Sequence, residues 1–230
     1  MTDKPILFSG EMVRALLDGR KTQTRRVLKP QIGDLDQVGY FPDGEPIVMD
    51  SEGGHQSPIS GVKYAVGDRL WVREAWKVGP AYDDLPPRDL SGEECLKYMA
   101  DGAEQKWGWE HSQVYGRNRP SMFMPRWASR LTLTVTDVRV QRLQDISESD
   151  AEAEGIEPYS GIDPCCTGYL NYQTQSEDGW WLPPVKSFRT LWDSLNAKRG
   201  YGWAENPWVV AYTFTVERIN IDAHSPRPTD

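Results

Sequence analysis

The sequence predicts a mainly β α+β fold, in which a small closed or half-closed β-barrel is flanked by helices. Segments with strand patterns outnumber those with helix patterns, and they are spread along the whole 230-residue chain. The helical segments stand between strands, and a strand–helix–strand order with about five core strands is typical of small barrels.

The chain opens with a short strand, a helix and a second strand. Residues 5–8 have an extended pattern, and Ser9 is a typical helix N-cap. One helical face collects the apolar side chains of Met12, Val13, Leu16 and Leu17. Gly19 is placed to end this helix in a sharp turn, and residues 24–28 follow with a strand composition.

Later segments complete the predicted core. Residues 126–143 give the clearest strand, whose alternation shifts between Val135 and Val138 as it would at a bulge. A capping-box pattern predicts a short helix over 151–154, which Gly155 ends. The other predicted elements are a strand at 69–76, a helix at 185–198 and a final strand at 208–219.

Three segments rich in glycine, proline and polar residues are predicted to be insertions that decorate one core. They cover residues 30–66, 77–125 and 156–184, and the second holds a predicted helix near 91–101. We therefore expect a single domain over residues 1–222, followed by a flexible tail at 223–230.

The composition narrows the class of protein. No apolar run reaches the roughly 18–20 residues of a membrane helix, and the first residues lack a signal-peptide pattern. We therefore expect a cytoplasmic protein without membrane contact. The net charge of −8 favours a small ligand, or a short nucleic-acid segment recognised locally, over nonspecific binding of long nucleic acid.

Cysteines and histidines are too few for a metal or disulfide framework. The three cysteines cannot all pair, and two of them, Cys165 and Cys166, are neighbours that rarely bridge. Three histidines and no C-x-x-C motif leave no credible zinc site. We expect neither a metal nor a cofactor.

The most informative stretch is the run from Gly19 to Arg26, directly behind the first helix. It packs four cations and two hydroxyl side chains into eight residues of an otherwise acidic chain. A glycine at the end of a helix lets the backbone turn sharply. Lys21, Thr24 and Arg26 can then be directed at one anionic or carbonyl-bearing ligand.

The pattern Gly19-x-Lys21-x-x-Thr24-x-Arg26 resembles the signature of the ASCH domain, a relative of the PUA RNA-binding barrel. Thr24 stands where the commoner family pattern has glutamate, and in this the run is similar to the small bacterial ASCH proteins that deacetylate acetylated cytidine. Weaker matches follow in family order at 67–72, 145–156 and 208–216, so the resemblance covers about half of the chain. The insertions resemble those of larger ASCH proteins from bacteriophage and prophage genomes.

The resemblance implies a PUA-like barrel and a catalytic group of Lys21, Thr24 and a glutamate from the helix after the barrel. By order and spacing this glutamate is Glu154, with Glu152 as the near alternative. It also implies a bacterial or phage-infected cytoplasm, and a modified nucleoside, a nucleotide or short single-stranded RNA as the partner.

Two routes of amide hydrolysis fit these residues. In one, the Thr24 hydroxyl attacks and Lys21 takes its proton, which requires that burial or neighbouring cations lower the pKa of Lys21. Glu154 then orients Lys21 or passes a proton to the leaving amine. In the other, charged Lys21 stabilises the oxyanion and Glu154 activates a water.

Further residues are candidates for substrate contact. Arg25 and Arg26 suit a planar contact with a base edge or a phosphate, although strand arginines are often solvated or ion-paired. Glu74 is expected to pair with Lys21 or Arg26 in the barrel mouth, or else to form a surface pair.

A second basic cluster interleaves arginines with aromatic residues, and it includes Arg117, Arg119 and Trp127. Such a pattern can hold phosphates and stack unpaired bases. The alternative is that the aromatic side chains belong to the core and the arginines pair with the many acids of the chain.

Three functions follow from these observations. The leading hypothesis is an enzyme that removes an acyl group from a modified cytidine by amide hydrolysis. The alternatives are an RNA-binding module without catalysis and a ribonuclease that cuts single-stranded RNA. Lys21 and Glu154 would supply the base and acid that the ribonuclease needs.

Overall fold

A computed structural model describes residues 2–33, 37–42, 44–49, 56–105, 114–160, 167–174 and 182–224. Strands dominate over helices in these ranges, so the fold is α+β and mainly β, as the sequence predicts. Within the same ranges no helix is both long enough and apolar enough to cross a lipid bilayer. The predicted tail lies outside the described residues from position 225 onward.

The described residues form thirteen strands and three α-helices, joined in part by short 3-10 turns. The strands are β1 (Asp3–Leu7), β2 (Gln23–Val27), β3 (Gln37–Tyr40), β4 (Pro46–Met49), β5 (Gln56–Pro58), β6 (Arg69–Arg73), β7 (Trp76–Lys77), β8 (Leu96–Tyr98), β9 (Glu104–Gln105), β10 (Thr132–Arg142), β11 (Pro158–Ser160), β12 (Thr167–Tyr169) and β13 (Trp208–Glu217). The helices are α1 (Gly10–Leu17), α2 (Glu148–Ala153) and α3 (Pro184–Asn196).

The largest sheet has five strands in the order β1-β6-β10-β13-β2. β1 and β6 are parallel, whereas β10 pairs with β6 and β2 pairs with β13 in antiparallel fashion. Among the described residues no pairing joins the edge strands β1 and β2, so the sheet is not a closed barrel. The remaining strands pair with one another inside the insertions and therefore do not add to this sheet.

The chain divides into two compact units, which we call unit 1 and unit 2. Unit 1 comprises Met1–Gly19, Gly67–Thr134 and Thr215–Asp230, and unit 2 comprises Arg20–Val66 and Val135–Phe214. Lys21, Thr24 and Glu154 all belong to unit 2. We predicted a single domain over residues 1–222. The division into two compact units does not test this, so it stays a prediction.

The first insertion, in which we predicted no strand, contains a small antiparallel sheet. β4 is its middle strand and pairs with β3 on one side and β5 on the other. Ile47 in β4 is 4% exposed, so this short apolar run has a buried face of its own. β4 has only four residues and polar flanks, so it is too short to show a strand period in the sequence.

The helix predicted near residues 91–101 is wrong, because this segment contains a turn and then β8. The Glu94 carboxylate accepts hydrogen bonds from the backbone N–H groups of Ser91 and Gly92 at 2.8 and 2.9 Å. Gly92 has a φ of 93°, a backbone conformation outside a right-handed helix. Leu96 and Tyr98 are buried on alternate positions of β8, which is the period of a strand.

The capping signals around α1 and α2 are confirmed. The Ser9 hydroxyl accepts a hydrogen bond from the Met12 N–H at 3.5 Å, and the Ser147 hydroxyl accepts one from the Asp150 N–H at 3.0 Å. Gly19 and Gly155, at the ends of the two helices, have φ values of 74° and 83°. The turn at Gly19 leads the chain directly into Lys21.

The long strand predicted at 126–143 is shorter in the structure. A 3-10 turn occupies Arg126–Ala128, and β10 begins only at Thr132. The predicted shift of alternation is present, since Thr136 and Asp137 are exposed in succession while buried residues flank them. The helix predicted at 185–198 is confirmed as α3, and the final predicted strand as β13.

We expect Ser147→Ala to lower the free energy of unfolding by about 1 kcal/mol, because α2 has only six residues and loses its N-cap. Ser147→Asn keeps a capping oxygen and should remain close to wild type. Urea unfolding followed by tryptophan fluorescence measures both variants. Equal stability of the alanine and asparagine variants would show that the cap does not stabilise this helix.

Candidate functional site

Lys21 lies in the segment before β2, where this segment runs beside the end of α2. An isolated antiparallel bridge pairs Lys21 with Glu154, and the Thr22 N–H donates to the Ala153 carbonyl at 2.9 Å. Lys21 is 1% exposed. This backbone pairing places its side chain inside the unit, beside the residue that follows α2.

The ammonium of Lys21 has three protein acceptors. Nζ donates to the Glu154 carbonyl at 2.7 Å, to the Gln23 carbonyl at 2.8 Å and to Glu154 Oε2 at 3.0 Å. An ammonium has three N–H donors and no acceptor. The geometry therefore matches the charged form of Lys21.

Glu154 is the carboxylate that the two buried cations of this segment share. Its Oε2 accepts from Lys21, and its Oε1 accepts from Arg25 Nη1 at 3.1 Å. The side chains of Lys21, Arg25 and Glu154 have relative exposures of only 2%, 0% and 6%. Of the two glutamates that the sequence suggested, it is therefore Glu154 that contacts Lys21. The Oε1 atom of Glu152 accepts a hydrogen bond from the Tyr169 hydroxyl instead.

The same network extends one helical turn back along α2, to Asp150. Arg25 Nη2 donates to Asp150 Oδ2 at 2.8 Å, and Arg139 Nη2 donates to Asp150 Oδ1 at 3.2 Å. Asp150 and Glu154 are four residues apart, so both carboxylates reach the same side of the helix. Sequence reasoning missed Asp150, although this spacing was a signal for it.

Burial is the main influence on Lys21. It lowers the pKa of this side chain, and the neighbouring charges of Arg26 and Arg25 act in the same direction. The charge of Glu154 and its hydrogen bond raise the pKa, but they do not cancel the effect of burial. Lys21 is thus easier to deprotonate than an exposed lysine.

Thr24 and Arg26 lie on the other face of β2 from Gln23 and Arg25, because side chains alternate along a strand. Gln23 donates to the Thr213 hydroxyl at 3.2 Å across the strand pair, while Thr24 is paired in register with Tyr212. Thr24 is buried and Arg26 is exposed. The structure thus brings Lys21 and Glu154 into contact and directs Thr24 toward Tyr212.

Two tyrosines complete this second face, and sequence reasoning assigned neither of them to the site. The Tyr212 hydroxyl accepts the Lys63 N–H at 3.0 Å, and the Tyr64 ring meets the Tyr212 ring edge-on with centroids 5.0 Å apart. Partial removal from solvent lowers the pKa of Arg26, while the charges of Glu154, Tyr64 and Tyr212 raise it. Tyr64 comes from the first insertion, which carried no motif.

Glu74 forms its ion pair with Arg130 in unit 1, and not with Lys21 or Arg26 as the sequence suggested. Arg130 binds it through two hydrogen bonds of 2.8 and 2.9 Å and also binds Asp101. Glu74 is 1% exposed, so this is a buried pair rather than a surface pair. Burial raises the pKa of Glu74, although the hydrogen bonds from Arg130 oppose that shift.

The second basic cluster is largely committed to contacts inside unit 1. Arg119 is buried and donates to the backbone carbonyls of Tyr82 and Leu85 at 2.6 and 3.0 Å. Trp127 packs edge-on against buried Trp76, with ring centroids 6.5 Å apart. Of Arg117, Arg119 and Trp127, only Arg117 has an exposed side chain. The cluster therefore fits the second of our two interpretations, in which the aromatic side chains belong to the core and the arginines are bound within the protein.

Among the described residues, no group of three or more histidine, cysteine, aspartate or glutamate side chains is arranged to hold a metal ion. The carboxylates near Lys21 instead form ion pairs with Lys21 and Arg25. No family profile, curated protein or solved structure matches this chain.

We expect Glu154→Gln to destabilise the protein more than Lys21→Met. The first change leaves two buried cations without their shared anion, which costs about 3–5 kcal/mol. The second change leaves Glu154 paired with Arg25. Its cost in unfolding free energy is about 1–3 kcal/mol, because the oxygen atoms that accept from Lys21 lose their donor. Urea unfolding measures both free energies, and the reverse order would contradict the shared role of Glu154.

A pH dependence of stability follows from Asp150. Burial raises the pKa of this carboxyl, but hydrogen bonds from Arg139 and the charge of Arg25 outweigh burial and hold the pKa below its usual range. Because the folded pKa is depressed, the stabilisation is present above the unfolded pKa of about 4 and is lost as pH falls through the folded value.

Unfolding free energies of the wild type should therefore decrease on acidification below about pH 4, and the slope should be shallower in Asp150→Asn. Asp137→Asn is a matched control, since Asp137 contacts Arg139 from an exposed position. Parallel slopes for the wild type and Asp150→Asn would contradict the linkage.

Proposed function

We propose that this chain is an ASCH-type hydrolase of PUA-like fold, which removes an acyl group from a modified cytidine by cleaving an amide bond. The observation that carries the proposal is the buried contact of Lys21 with Glu154, two residues 133 positions apart in the chain. The resemblance to acetylcytidine amidohydrolases pairs these same two residues with Thr24.

The reaction adds water across the bond between the acyl carbon and the exocyclic nitrogen of cytosine. The Thr24 oxygen is the proposed nucleophile: it bonds to the acyl carbon, the C–N bond breaks, and the freed amine takes up a proton. Water then cleaves the resulting ester, which regenerates the Thr24 hydroxyl. The products are a carboxylic acid and unmodified cytidine.

Lys21 is the proposed carrier of the proton. As a neutral amine it takes the proton of the Thr24 hydroxyl, and it returns that proton to the leaving amine. The lowered pKa of Lys21 makes the neutral form more accessible near neutral pH. Glu154 orients Nζ.

Capture of a cytidine or a short RNA without turnover is a second candidate function. All three donors of the Lys21 ammonium have protein acceptors, which favours a permanently charged, structural lysine. Ligand contacts would then come from the face that holds Thr24 and Arg26. Salt-sensitive binding is expected in this case, because the guanidinium would bind phosphate oxygens.

Incubation with N4-acetylcytidine, followed by chromatography of the products, distinguishes the two functions. We expect turnover by the wild type and a loss of about 10²–10⁴-fold in kcat for Lys21→Met, which removes the proton carrier. Thr24→Val should be similarly impaired, whereas Thr24→Ser keeps a hydroxyl and should keep much of the activity.

Thr22→Val is the matched control, because Thr22 is an exposed threonine two residues from the proposed nucleophile. It should remain close to wild type. Absence of turnover by the folded wild type, together with salt-sensitive binding of cytidine or short RNA, would contradict hydrolysis and favour the binding function.

A further inference from the structure

The end of α3 and the chain that returns from it border a cavity of about 300 Å³ in unit 2. After α3 the chain makes a 3-10 turn, and Gly200, with a φ of 79°, lets it reverse direction. The Trp192 indole N–H donates to the Tyr201 carbonyl at 2.7 Å. The Trp203 N–H donates to Asp193 Oδ1 at 2.6 Å, so the returning segment is fixed to the helix at two points.

Two carboxylates of the cavity wall converge on Gly202. A Cβ added to this glycine would stand 2.6 Å from Glu205 Oε2 and 3.3 Å from Asp193 Oδ1. The two oxygens therefore face one another across the space that the missing side chain leaves. Negative charges held this close repel each other, and a cation bound between them removes that cost.

The protein itself uses the two carboxylates to different extents. Asp193 accepts from the Trp203 N–H, and Nε of Arg189 lies 3.9 Å from its Oδ2. Glu205 is exposed, and no group in the described part of the chain donates a hydrogen bond to its carboxylate. Asp193 is thus held in position by the backbone, and Glu205 has free acceptor capacity beside it.

An aromatic ring forms another part of the wall. Trp203 meets the buried Phe188 ring edge-on, with centroids 6.5 Å apart and an interplanar angle of 74°. This contact supports the indole from one side, and Trp203 stays partly exposed where it lines the cavity. Tryptophan is the side chain whose ring attracts cations most strongly.

A planar organic cation fits these features better than a metal ion does. Ca²⁺ and Mg²⁺ take about six or more oxygen ligands, and within the described ranges no three acidic, histidine or cysteine side chains stand together to hold a metal. A guanidinium offers a rigid fork of N–H donors for carboxylates and a flat face for an indole.

We propose that this cavity binds the guanidinium of an arginine side chain or of a small arginine derivative. Asp193 and Glu205 accept its N–H donors, and Trp203 packs against it. None of these residues belongs to the Lys21 site, so the binding of a guanidinium here goes beyond hydrolysis and does not depend on it.

An NMR titration at fixed ionic strength tests the site with N-acetyl-L-argininamide, followed on the Trp203 indole N–H signal. Trp203→Phe assigns that signal. Saturable shifts are expected, and N-acetyl-L-citrullinamide, which has the same shape without the charge, should bind at least about 10-fold more weakly. Free L-arginine separates the two sources of the group. Tighter binding of the capped compound indicates an arginine within a peptide, and equal or tighter binding of free arginine indicates a small molecule.

Glu205→Gln should weaken binding of N-acetyl-L-argininamide by about 10- to 150-fold, as expected for loss of a hydrogen bond to a charged group. Glu157→Gln, at another exposed glutamate of unit 2, is the matched control and should bind as the wild type does. Gly202→Ala keeps both charges but fills the space between them, so it should also weaken binding. Arg189→Gln should bind as tightly as the wild type or more tightly, because it removes a competing cation from Asp193.

Urea unfolding of Glu205→Gln should give the wild-type midpoint, which shows that lost affinity is not lost folding. Equal affinity for the arginine and citrulline compounds, or unchanged affinity in Glu205→Gln, would overturn the proposal. Absence of saturable binding by the folded wild type would overturn it as well. Saturable shifts with CaCl₂ and none with the arginine compounds would show a metal site instead.

Discussion

The carboxylate of Glu154 is the interaction on which the candidate site depends. It receives one hydrogen bond from Lys21 and one from Arg25, and all three side chains are almost fully buried. Two buried cations without a shared anion would cost several kcal/mol, so the segment that enters β2 must lie against the end of α2. The N-cap of this short helix matters for the same reason, because it stabilises the helix on which a four-residue spacing puts Asp150 and Glu154 on one side.

Strand alternation then gives β2 two different roles. On one face, Gln23 and Arg25 belong to a buried polar network that stabilises unit 2. On the other face, Thr24 and Arg26 meet the tyrosines, and Arg26 stays exposed to solvent. A charge network behind the strand limits its movement, and this suits a ligand site on the face that holds Thr24 and Arg26.

Local patterns predicted local structure well, and distant contacts less well. The caps at Ser9 and Ser147 could be predicted because each capping residue directly precedes its helix in the sequence. The Lys21–Glu154 contact was anticipated through a family resemblance, since no periodicity relates residues so far apart. The Glu74–Arg130 pair was missed, because each residue has several opposite charges within reach in sequence and only the tertiary fold selects one. The small sheets were missed because their strands are too short to show a period.

The most direct test of the central contact is the NMR signal of the Lys21 side-chain nitrogen, assigned by comparison with Lys21→Arg. A buried ammonium with three protein acceptors should exchange its protons slowly, so its ¹⁵N–¹H correlation should be visible at neutral pH, where exposed lysines exchange too fast to be seen. The same signal should shift or vanish in Glu154→Gln. A Lys21 ammonium that exchanges as fast as the exposed lysines, with or without Glu154, would contradict the account.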